Sequence, residues 1–256
     1  MRRPAAALPC AVALLCAVLL AGCAGTAGER PDPADGRAQD PPRAVSAPRS
    51  LPPVVDHVPT RDPVVFLTYD DGAERDPRFV RLVRERRLPV SMFLTDSVVG
   101  PGYGHFARLR AVGASIQNHT LDHPALRGLP YAGQRAEICG QQHKLRSRFG
   151  ITPRLFRPPY GTYDRTTLRA AADCGITAVV LWRASLGADG ELTYTRGEPR
   201  LRAGDIVSVP SGETGSPSLA ERTERLLREI AERGLRVGRL EDHLEDGLQD
   251  GLLDRL

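Results

Sequence analysis

The sequence predicts an α/β fold, a distorted or incomplete (β/α) barrel of about seven strand–helix units. Two observations support this prediction: short apolar runs alternate with amphipathic segments from residue 63 onward, and polar motifs follow the ends of several of these runs. A chain of 256 residues, 41% of them hydrophobic, has room for one such domain. In barrels of this type the chemistry lies at the carboxyl ends of the strands, so the polar motifs are the candidates for a functional site.

The first residues are typical of an export signal. Arg2 and Arg3 are followed by an apolar run over residues 5–21 and by small residues before Cys23. Residues 20–23, Leu-Ala-Gly-Cys, resemble a bacterial lipobox, which predicts a signal peptide over residues 1–23 and a lipid on Cys23 that anchors the chain to the membrane. An ordinary cleaved signal and an uncleaved anchor are the alternatives. All three place the domain outside the cytoplasm, so we expect an exported protein.

The rest of the chain divides into three parts. Residues 24–62 are rich in Pro, Ala, Asp, Arg and Ser and lack apolar periodicity, which predicts a disordered Pro-rich linker. The folded domain is predicted over residues 63–245, with a tail over 246–256. Cys139 and Cys174 lie in the domain, where they either pair or remain separate thiols. The formal net charge is only +4 and the basic residues are dispersed, so we expect no nucleic-acid partner, and we expect a monomer.

The first predicted elements follow directly from the apolar pattern. Residues 63–69 form a nearly continuous apolar run, typical of a strand buried on both faces. A helix is predicted over residues 77–86, because Phe79, Leu82 and Val83 share one side of it at helical spacing. The alternation then continues with a strand at 90–94, a helix at 105–112, a strand at 114–117 and a long helix at 131–149.

The second half of the domain repeats this alternation. Strands are predicted at residues 154–157, 178–182, 205–209 and 235–240, and helices at 165–174 and 218–233. Strands that alternate with helices indicate parallel β-structure with helices outside it. The resulting count favours an incomplete barrel over an open sheet.

The first strand ends in an acidic pair, within Thr68-Tyr69-Asp70-Asp71-Gly72. Two adjacent carboxylates directly after an apolar strand are costly unless they are solvated, paired or bound to a metal. Neighbouring residues at a strand end point in different directions, so one can bind a metal while the other acts as a base. Taken alone, the motif is equally typical of a turn with solvated carboxylates.

The third strand leads into a histidine pair, within His119-Thr120-Leu121-Asp122-His123. Histidines at positions i and i+4 can converge on one ion if the segment makes a helical turn. Such a pair alone is often coincidental, but a second acidic motif at an equivalent strand end makes coincidence a poor explanation. Two imidazoles and one carboxylate leave positions open for water and substrate, as in a catalytic rather than a structural metal site.

The fourth strand ends in Arg157-Pro158-Pro159-Tyr160. The arginine can pair with a carboxylate and keep it ionised. The two prolines stiffen the loop that follows. Without the other two motifs, a rigid turn with a surface arginine explains this segment as well.

Taken together and in this order, the three motifs resemble those of the polysaccharide deacetylases, also called the NodB-homology or chitin-deacetylase-like family. The resemblance runs from about Val64 to Leu244. It implies a general base at Asp70, metal ligands at Asp71, His119 and His123, and an arginine, Arg157, that orients the base. It also implies that the backbone N–H of Tyr160 helps to hold an oxyanion. The implied metal is divalent, most often zinc, with cobalt or nickel as alternatives, and the implied partner is an acetylated polysaccharide.

Two later positions depart from the family pattern. Where the family has an aspartate that braces the motif arginine, this chain has Ser185, and where the family has a general-acid histidine, it has Pro210. Proline has no side-chain proton to donate, and general acid–base assistance is worth about 10²–10⁴ in rate. His105, His243 and Glu213 are the candidates to replace the missing acid.

Two functions therefore remain open. The first is a metal-dependent hydrolase that removes N- or O-linked acetyl groups from a polysaccharide, expected to be a cell-envelope glycan, with activity reduced by the loss at Pro210. The second is a metal-binding pseudoenzyme that binds glycan without turnover. A metallo-amidase acting on peptides fits the site chemistry equally well and is disfavoured only by the resemblance.

Overall fold

The computed structural model describes residues 50–73, 75–210 and 217–249. In chain order the strands within these ranges are β1 (Val54–Val55), β2 (Val64–Asp71), β3 (Ser91–Leu94), β4 (Ser115–Asn118), β5 (Leu155–Phe156), β6 (Ala178–Val180), β7 (Ala184–Leu186), β8 (Leu192–Tyr194), β9 (Ile206–Val209) and β10 (Arg236–Val237). The α-helices are α1 (Pro77–Arg86), α2 (Asp96–Val99), α3 (Tyr103–Ala111), α4 (Tyr131–Phe149), α5 (Arg165–Asp173), α6 (Leu219–Glu232) and α7 (Leu240–Gln249). Single 3₁₀ turns lie at Gly100–Gly102 and Pro159–Gly161.

The strands form one curled sheet with the order β1-β6-β5-β4-β3-β2-β9-β7-β8, and β10 also pairs with β2. All the pairings are parallel except the β7–β8 hairpin. Every residue of β2 except Asp71 is buried, as expected for a parallel strand with both faces covered. The predicted α/β fold with an incomplete barrel is therefore confirmed.

The segment before β2 belongs to the barrel, which corrects the prediction that the linker extends to residue 62. β1 pairs with β6, His57 makes an antiparallel bridge to Asp205, and the Val58 N–H donates to the Gly204 carbonyl at 2.8 Å. The segment thus spans the gap between β6 and the start of β9. Val55 and Val58 are 1% exposed, so two apolar side chains add to the backbone pairing that holds this Pro-rich stretch in place. The signal and linker residues 1–49, Cys23 among them, lie outside the described residues.

Helices α1 and α3–α6 cover the outer face of the sheet, whereas α7 packs against the apolar cluster inside the barrel. α1 buries Phe79, Leu82 and Val83, the three residues that the helical spacing selects. Asp76 caps its first turn by accepting a hydrogen bond from the Arg78 N–H, and Pro77 occupies the first helical position, where its missing N–H has no cost. Inside the barrel, Phe66, Phe93 and other apolar side chains pack together, so a solid core supports the strand ends.

Two further segments differ from the sequence prediction. The β7–β8 hairpin was not foreseen, because its strands are three residues long and interrupted by polar side chains. The strand predicted at 235–240 is shorter, and α7 begins at Leu240 and continues past the predicted domain end at residue 245, because Leu240 and Leu244 pack into the core. Residues 250–256 lie outside the described residues. Among the described helices, none combines the length and apolar character that a membrane crossing requires.

Cys139 and Cys174 form a disulfide, with their Cα atoms 5.1 Å apart. The bond links α4 to the residue that follows α5, and it closes a loop with a sequence separation of 35 residues. Of the two alternatives open from the sequence, pairing is therefore the one that the structure adopts.

Candidate active site

The three sequence motifs meet at one end of the sheet. Asp71 ends β2, His119 follows the end of β4, and Arg157 follows the end of β5. These strands run parallel within four consecutive strands of the sheet, β5-β4-β3-β2, so their carboxyl ends open on the same side. Gly72 completes the first motif with φ +90°, and a Cβ there would lie 2.9 Å from Val99 and 3.0 Å from Phe106. Only glycine fits this turn.

Asp71, His119 and His123 form a compact cluster. One ligand atom from each residue lies within 4.8 Å of the other two. The Asp71 Oδ1 atom is 3.3 Å from His119 Nε2 and 3.0 Å from His123 Nε2, and the two Nε2 atoms are 3.2 Å apart. Burial favours a raised pKa for the Asp71 carboxyl, but the two imidazoles hold this pKa well below its ordinary value. The carboxylate is therefore ionised at neutral pH.

The donor atoms of this cluster fit a divalent cation. His119 Nδ1 lies 2.8 Å from the Arg157 carbonyl, which can only accept, so Nδ1 carries the proton and the Nε2 lone pair points towards the cluster. The Asp71 Oδ1 atom is within ion-pair distance of both imidazoles, yet it is buried and makes no well-directed hydrogen bond to any described residue. A buried carboxylate oxygen without a donor is costly, and a cation between the three atoms satisfies it.

Strained backbone is concentrated around the cluster. Among the described residues other than glycine, five have positive φ, and four of these lie in the three motifs: Asp71, Thr120, His123 and Tyr160. Each such residue costs about 1–3 kcal/mol and persists only when its surroundings hold it. The site therefore depends on contacts that keep its loops in these conformations.

The loop that carries the two histidines is held from several sides. The Glu137 carboxylate, on α4, accepts the N–H of Leu121 at 3.1 Å and that of Asp122 at 2.9 Å. The Thr95 hydroxyl donates to the His119 carbonyl at 2.7 Å, and the Asn118 side chain accepts the Thr120 N–H at 3.0 Å. No feature of the sequence identified Glu137, because its role depends on where α4 packs.

Asp70 is held by two donors. Arg157 Nη1 donates to its Oδ1 at 2.6 Å, and the Ser208 hydroxyl donates to its Oδ2 at 2.7 Å. Asp70 and Asp71 therefore point apart, one towards the arginine and the other towards the histidines, as the strand-end position predicts. Sequence reasoning missed Ser208, although a single hydroxyl within the apolar run of β9 is a signal that could have identified it.

Arg157 is completely buried and bridges several strands. Its Nε and Nη2 donate to the carbonyls of Val180 and Leu181, and its guanidinium lies 4.4 Å from the centre of the Phe93 ring. Burial lowers the pKa of Arg157, and the charge of Asp70 opposes this shift. Ser185, at the place of the family's bracing aspartate, lies in β7 opposite Ser208. The backbone carbonyls thus fix the guanidinium.

Tyr160 lies beside the cluster on an exposed turn. Its ring makes an edge contact with His123, with centroids 4.8 Å apart, and the residue is 65% exposed. The N–H groups of Gly161 and Thr162 close the turn onto the carbonyls of Pro158 and Pro159. Gly161, with φ +66°, packs against Trp182, whose ring lies 3.0 Å from the position of a Cβ. Tyr160 and Trp182 line a cleft with an empty volume of about 590 Å³.

The position of the missing histidine is apolar. Pro210 lines a narrow cavity with Asp70, Tyr69, Met92, Val209 and Leu219, among others. Tyr69 is the other ionisable residue of this lining, and its hydroxyl is hydrogen-bonded to Thr223 at 3.0 Å. Apart from Asp70 and Tyr69, the lining side chains around Pro210 are apolar.

Two of the three candidate replacements for the acid, His105 and His243, lie in the described part of the chain, and neither lines the cavity that Asp70 shares with Pro210. His105 is buried in α3 against Phe106, and burial lowers its pKa, so its ring is neutral at pH 7. His243 lies on α7, with its ring centroid 5.0 Å from that of Phe66 in β2. Four residues of extended chain, roughly 13 Å, separate Phe66 from Asp70. Glu213 lies outside the described residues.

The fold and the strand-end cluster define the class of protein: an α/β barrel with a carboxylate–histidine site at its carboxyl face. A family model described as polysaccharide deacetylase matches residues 57–179. A protein of Streptomyces coelicolor, described as uncharacterised, is 66% identical over 94% of this chain and 97% of its own length. Chitin deacetylase 1 of Cryptococcus neoformans is 27% identical over 62% of this chain, which spans only 34% of that enzyme's length. This chain belongs to the polysaccharide deacetylase family.

Solved structures share the fold. A family 4 carbohydrate esterase from Bacillus anthracis superposes with a TM-score of 0.63 at 19% identity, covering 75% of this chain and 87% of the esterase. A second Bacillus anthracis protein, described as a pseudoenzyme of the same esterase family, has a TM-score of 0.64 at 19% identity, covering 75% of this chain and 69% of that protein. At these identities the likeness extends to the fold alone.

Proposed function

We propose that this chain is a metal-dependent hydrolase that removes acetyl groups from a polysaccharide of the cell envelope. The proposal rests on two groups that meet at the same end of the sheet: a cluster of cation ligands at Asp71, His119 and His123, and a buried, oriented carboxylate at Asp70. Membership of the polysaccharide deacetylase family supports the reaction type. A closed structural metal site has no use for the second carboxylate.

Asp71, His119 and His123 are the residues that would hold the ion. Zinc suits two imidazoles and one carboxylate, and cobalt and nickel suit the same donors. When bound there, a divalent ion supplies a Lewis acid that polarises the acetyl carbonyl and acidifies water. The proposal concerns a catalytic site, since three protein ligands leave further coordination positions open.

The chain's own groups supply the proton transfer. Asp70 takes a proton from the attacking water, and Arg157 and Ser208 hold its carboxylate in place while it does so. The N–H of Tyr160, on the turn beside His123, donates to the oxygen of the acetyl group as negative charge develops there. The positive φ of Tyr160, 59°, sets the direction of this peptide.

The absence of a proton donor at Pro210 should affect N-acetyl and O-acetyl substrates differently. An amine leaves poorly without a proton, whereas the alkoxide of an O-acetyl ester is a better leaving group. We therefore propose that O-acetyl esters are cleaved faster than N-acetyl amides. Glu213 remains a candidate acid in the segment that follows Pro210.

Acetate release tests the proposal. The zinc-loaded protein is incubated with N-acetylated chito-oligosaccharides, with O-acetylated xylan and with phenyl acetate, next to the variants Asp70→Asn and Asp246→Asn. Asp246 is exposed on α7 and serves as the matched control. We expect release that survives in Asp246→Asn and falls by at least about a hundredfold in Asp70→Asn. Release that is unchanged in Asp70→Asn would show that another site performs the reaction.

A glycan-binding pseudoenzyme is the second candidate, and Pro210 and Ser185 favour it. It predicts zinc binding and binding of an oligosaccharide without acetate release from any of the three substrates. Calorimetric titration of the zinc-loaded protein with the same oligosaccharides distinguishes the two functions.

The location is part of the proposal. We propose that the chain is exported and anchored by lipid on Cys23, and that it acts as a monomer on the envelope. The lipobox-like residues 20–23 support the anchor, and the Cys139–Cys174 disulfide supports an oxidising compartment. Cys23→Ala should move the protein from the detergent phase to the aqueous phase in a Triton X-114 partition.

A further inference from the structure

The cleft beside Tyr160 differs in character from the metal cluster. Its lining residues are Asp56, Tyr160, Gly161, Leu181, Trp182, Thr195 and Arg196. The aromatic rings of Tyr160 and Trp182 and the charged side chains of Asp56 and Arg196 thus line the same open cleft. Because the Tyr160 ring also touches His123, a sugar unit in this cleft would be next to the unit whose acetyl group faces the metal cluster.

Asp56 and the two arginines that contact it carry a net positive charge. Asp56 accepts hydrogen bonds from Arg183, at 3.1 and 3.3 Å, and from Arg196, at 2.7 Å. Burial favours a raised pKa for Asp56, but the two guanidiniums lower this pKa below its ordinary value. Two cations therefore share one carboxylate, and the group keeps a net positive charge at neutral pH.

Arg196 is the member of this group that faces solvent. Its side chain is 65% exposed, compared with 24% for Arg183. Only its Nη2 contacts Asp56, and within the described residues its Nε and Nη1 have no hydrogen-bond partner. Nε and Nη1 lie on different edges of the guanidinium, so each can donate a hydrogen bond to an anion while Nη2 stays on Asp56.

The chain that follows Arg196 adds to the same charge. Glu198 is shared by Arg200 and Arg202, at 3.0 and 2.8 Å, so this segment also has more cations than carboxylates. The excess of arginine favours an anionic ligand.

We propose that this cleft is a subsite for a sugar unit that bears a carboxylate, with the ring against Trp182 and Tyr160 and the carboxylate on Arg196. The inference rests on the proposed function, because it places the acidic sugar next to the unit that is deacetylated. The substrate class is thereby narrowed to acidic glycans, such as those with lactyl-ether or uronate groups. Asp56 acts as a positioning residue that aims Arg196 into the cleft.

A matched pair of probes tests the subsite. The acidic probe is a tetrasaccharide of alternating N-acetylglucosamine and N-acetylmuramic acid without peptide, and the neutral probe is the same compound with its carboxyl groups converted to methyl esters. Binding is measured by calorimetry on the zinc-loaded Asp70→Asn protein, which limits turnover of the probes. The variants are Arg196→Gln and, as a matched control, Arg233→Gln. Arg233 pairs with Glu229 and does not line the cleft.

We expect the acidic probe to bind about tenfold more tightly than its ester, and we expect Arg196→Gln to remove this difference. Arg233→Gln should retain it. Equal binding of the two probes would overturn the proposal, as would a preference that persists in Arg196→Gln.

Acetate release from the unaltered protein separates this inference from the proposed function. If the protein prefers the acidic probe in an Arg196-dependent way but releases no acetate, the proposed hydrolase function is wrong and the proposed subsite is supported. If acetate is released equally from both probes and binding shows no preference, the hydrolase is supported and the subsite is wrong.

Discussion

Replacing Glu137 with alanine should weaken metal binding without touching a ligand. Glu137 accepts two backbone N–H groups from the loop between the histidines, and Thr120 and His123 in that loop have positive φ. Once these two bonds are removed, the loop can relax away from the strained geometry. The position of His123 Nε2 should then be less well defined.

The structure gives the size of this effect. Each of the two bonds, at 3.1 and 2.9 Å, is worth about 1 kcal/mol net at a partly exposed site, so their loss amounts to about 2 kcal/mol. This corresponds to an increase of about 30-fold in the dissociation constant for zinc. Losses of 10- to 100-fold are typical when a partner that orients a ligand is removed.

The assay is a zinc competition titration against a fluorescent chelator. Glu137→Gln retains a carbonyl oxygen that can accept from the loop, so we expect it to lose less than about fivefold in affinity. Glu229→Ala removes a glutamate from the surface of α6, where it pairs with Arg233, and should bind zinc normally. If Glu137→Ala binds zinc as tightly as the unaltered protein while its circular dichroism is unchanged, the loop does not need this carboxylate and the reasoning is refuted.

Three further changes have defined outcomes. Pro210→His should raise acetate release from N-acetyl substrates by about 10² while changing phenyl acetate hydrolysis much less, and an equal gain on both substrates would contradict the role assigned to the missing acid. Replacing Cys139 and Cys174 with serine opens a loop spanning a separation of 35 residues and should lower the free energy of unfolding by about 3–4 kcal/mol, measured in urea, whereas an unchanged midpoint would argue against the crosslink. Asp164 caps α5, and the N–H of Gly128 is the main cause that lowers its pKa to about 2. Its ionised form is favoured in the folded protein, so this stabilisation is present above pH 4 and is lost as the pH falls towards about 2. In urea titrations between pH 5 and pH 2, the Asp164→Asn variant should therefore lose less stability than the unaltered protein.

Much of the barrel could be predicted because its elements are long enough to show a period. The helices at 77–86 and 131–149 have the predicted bounds, since each has a clear apolar side or a clear start and end. β1 and the β7–β8 hairpin could not be predicted, because β1 lies in a Pro-rich stretch and polar side chains interrupt the hairpin strands. β5 and β6 are equally short and were placed by their position in the strand–helix alternation. Their stability comes from neighbours that are distant in sequence.

The candidate site divides in the same way. The sequence predicted Asp71, His119 and His123 as metal ligands, because few residue types at few spacings bind cations. The structure brings the three together. Glu137 could not, because glutamate on a helix is common everywhere, and Ser208 was missed although its hydroxyl interrupts the apolar run of β9. Only packing shows that one holds the histidine loop and the other holds Asp70.

The position of β1 has a mechanical consequence. β1 leads into the domain from the upstream chain and is itself a strand of the barrel. The residue that follows β1, Asp56, lines the cleft beside Tyr160. A force applied to the chain before residue 50 would therefore act on the β1–β6 pairing and on the bridge from His57 to Asp205. Detachment of this segment would remove Asp56 from Arg196, whereas Asp71, His119 and His123 lie on or after strands β2 and β4, with which β1 does not pair.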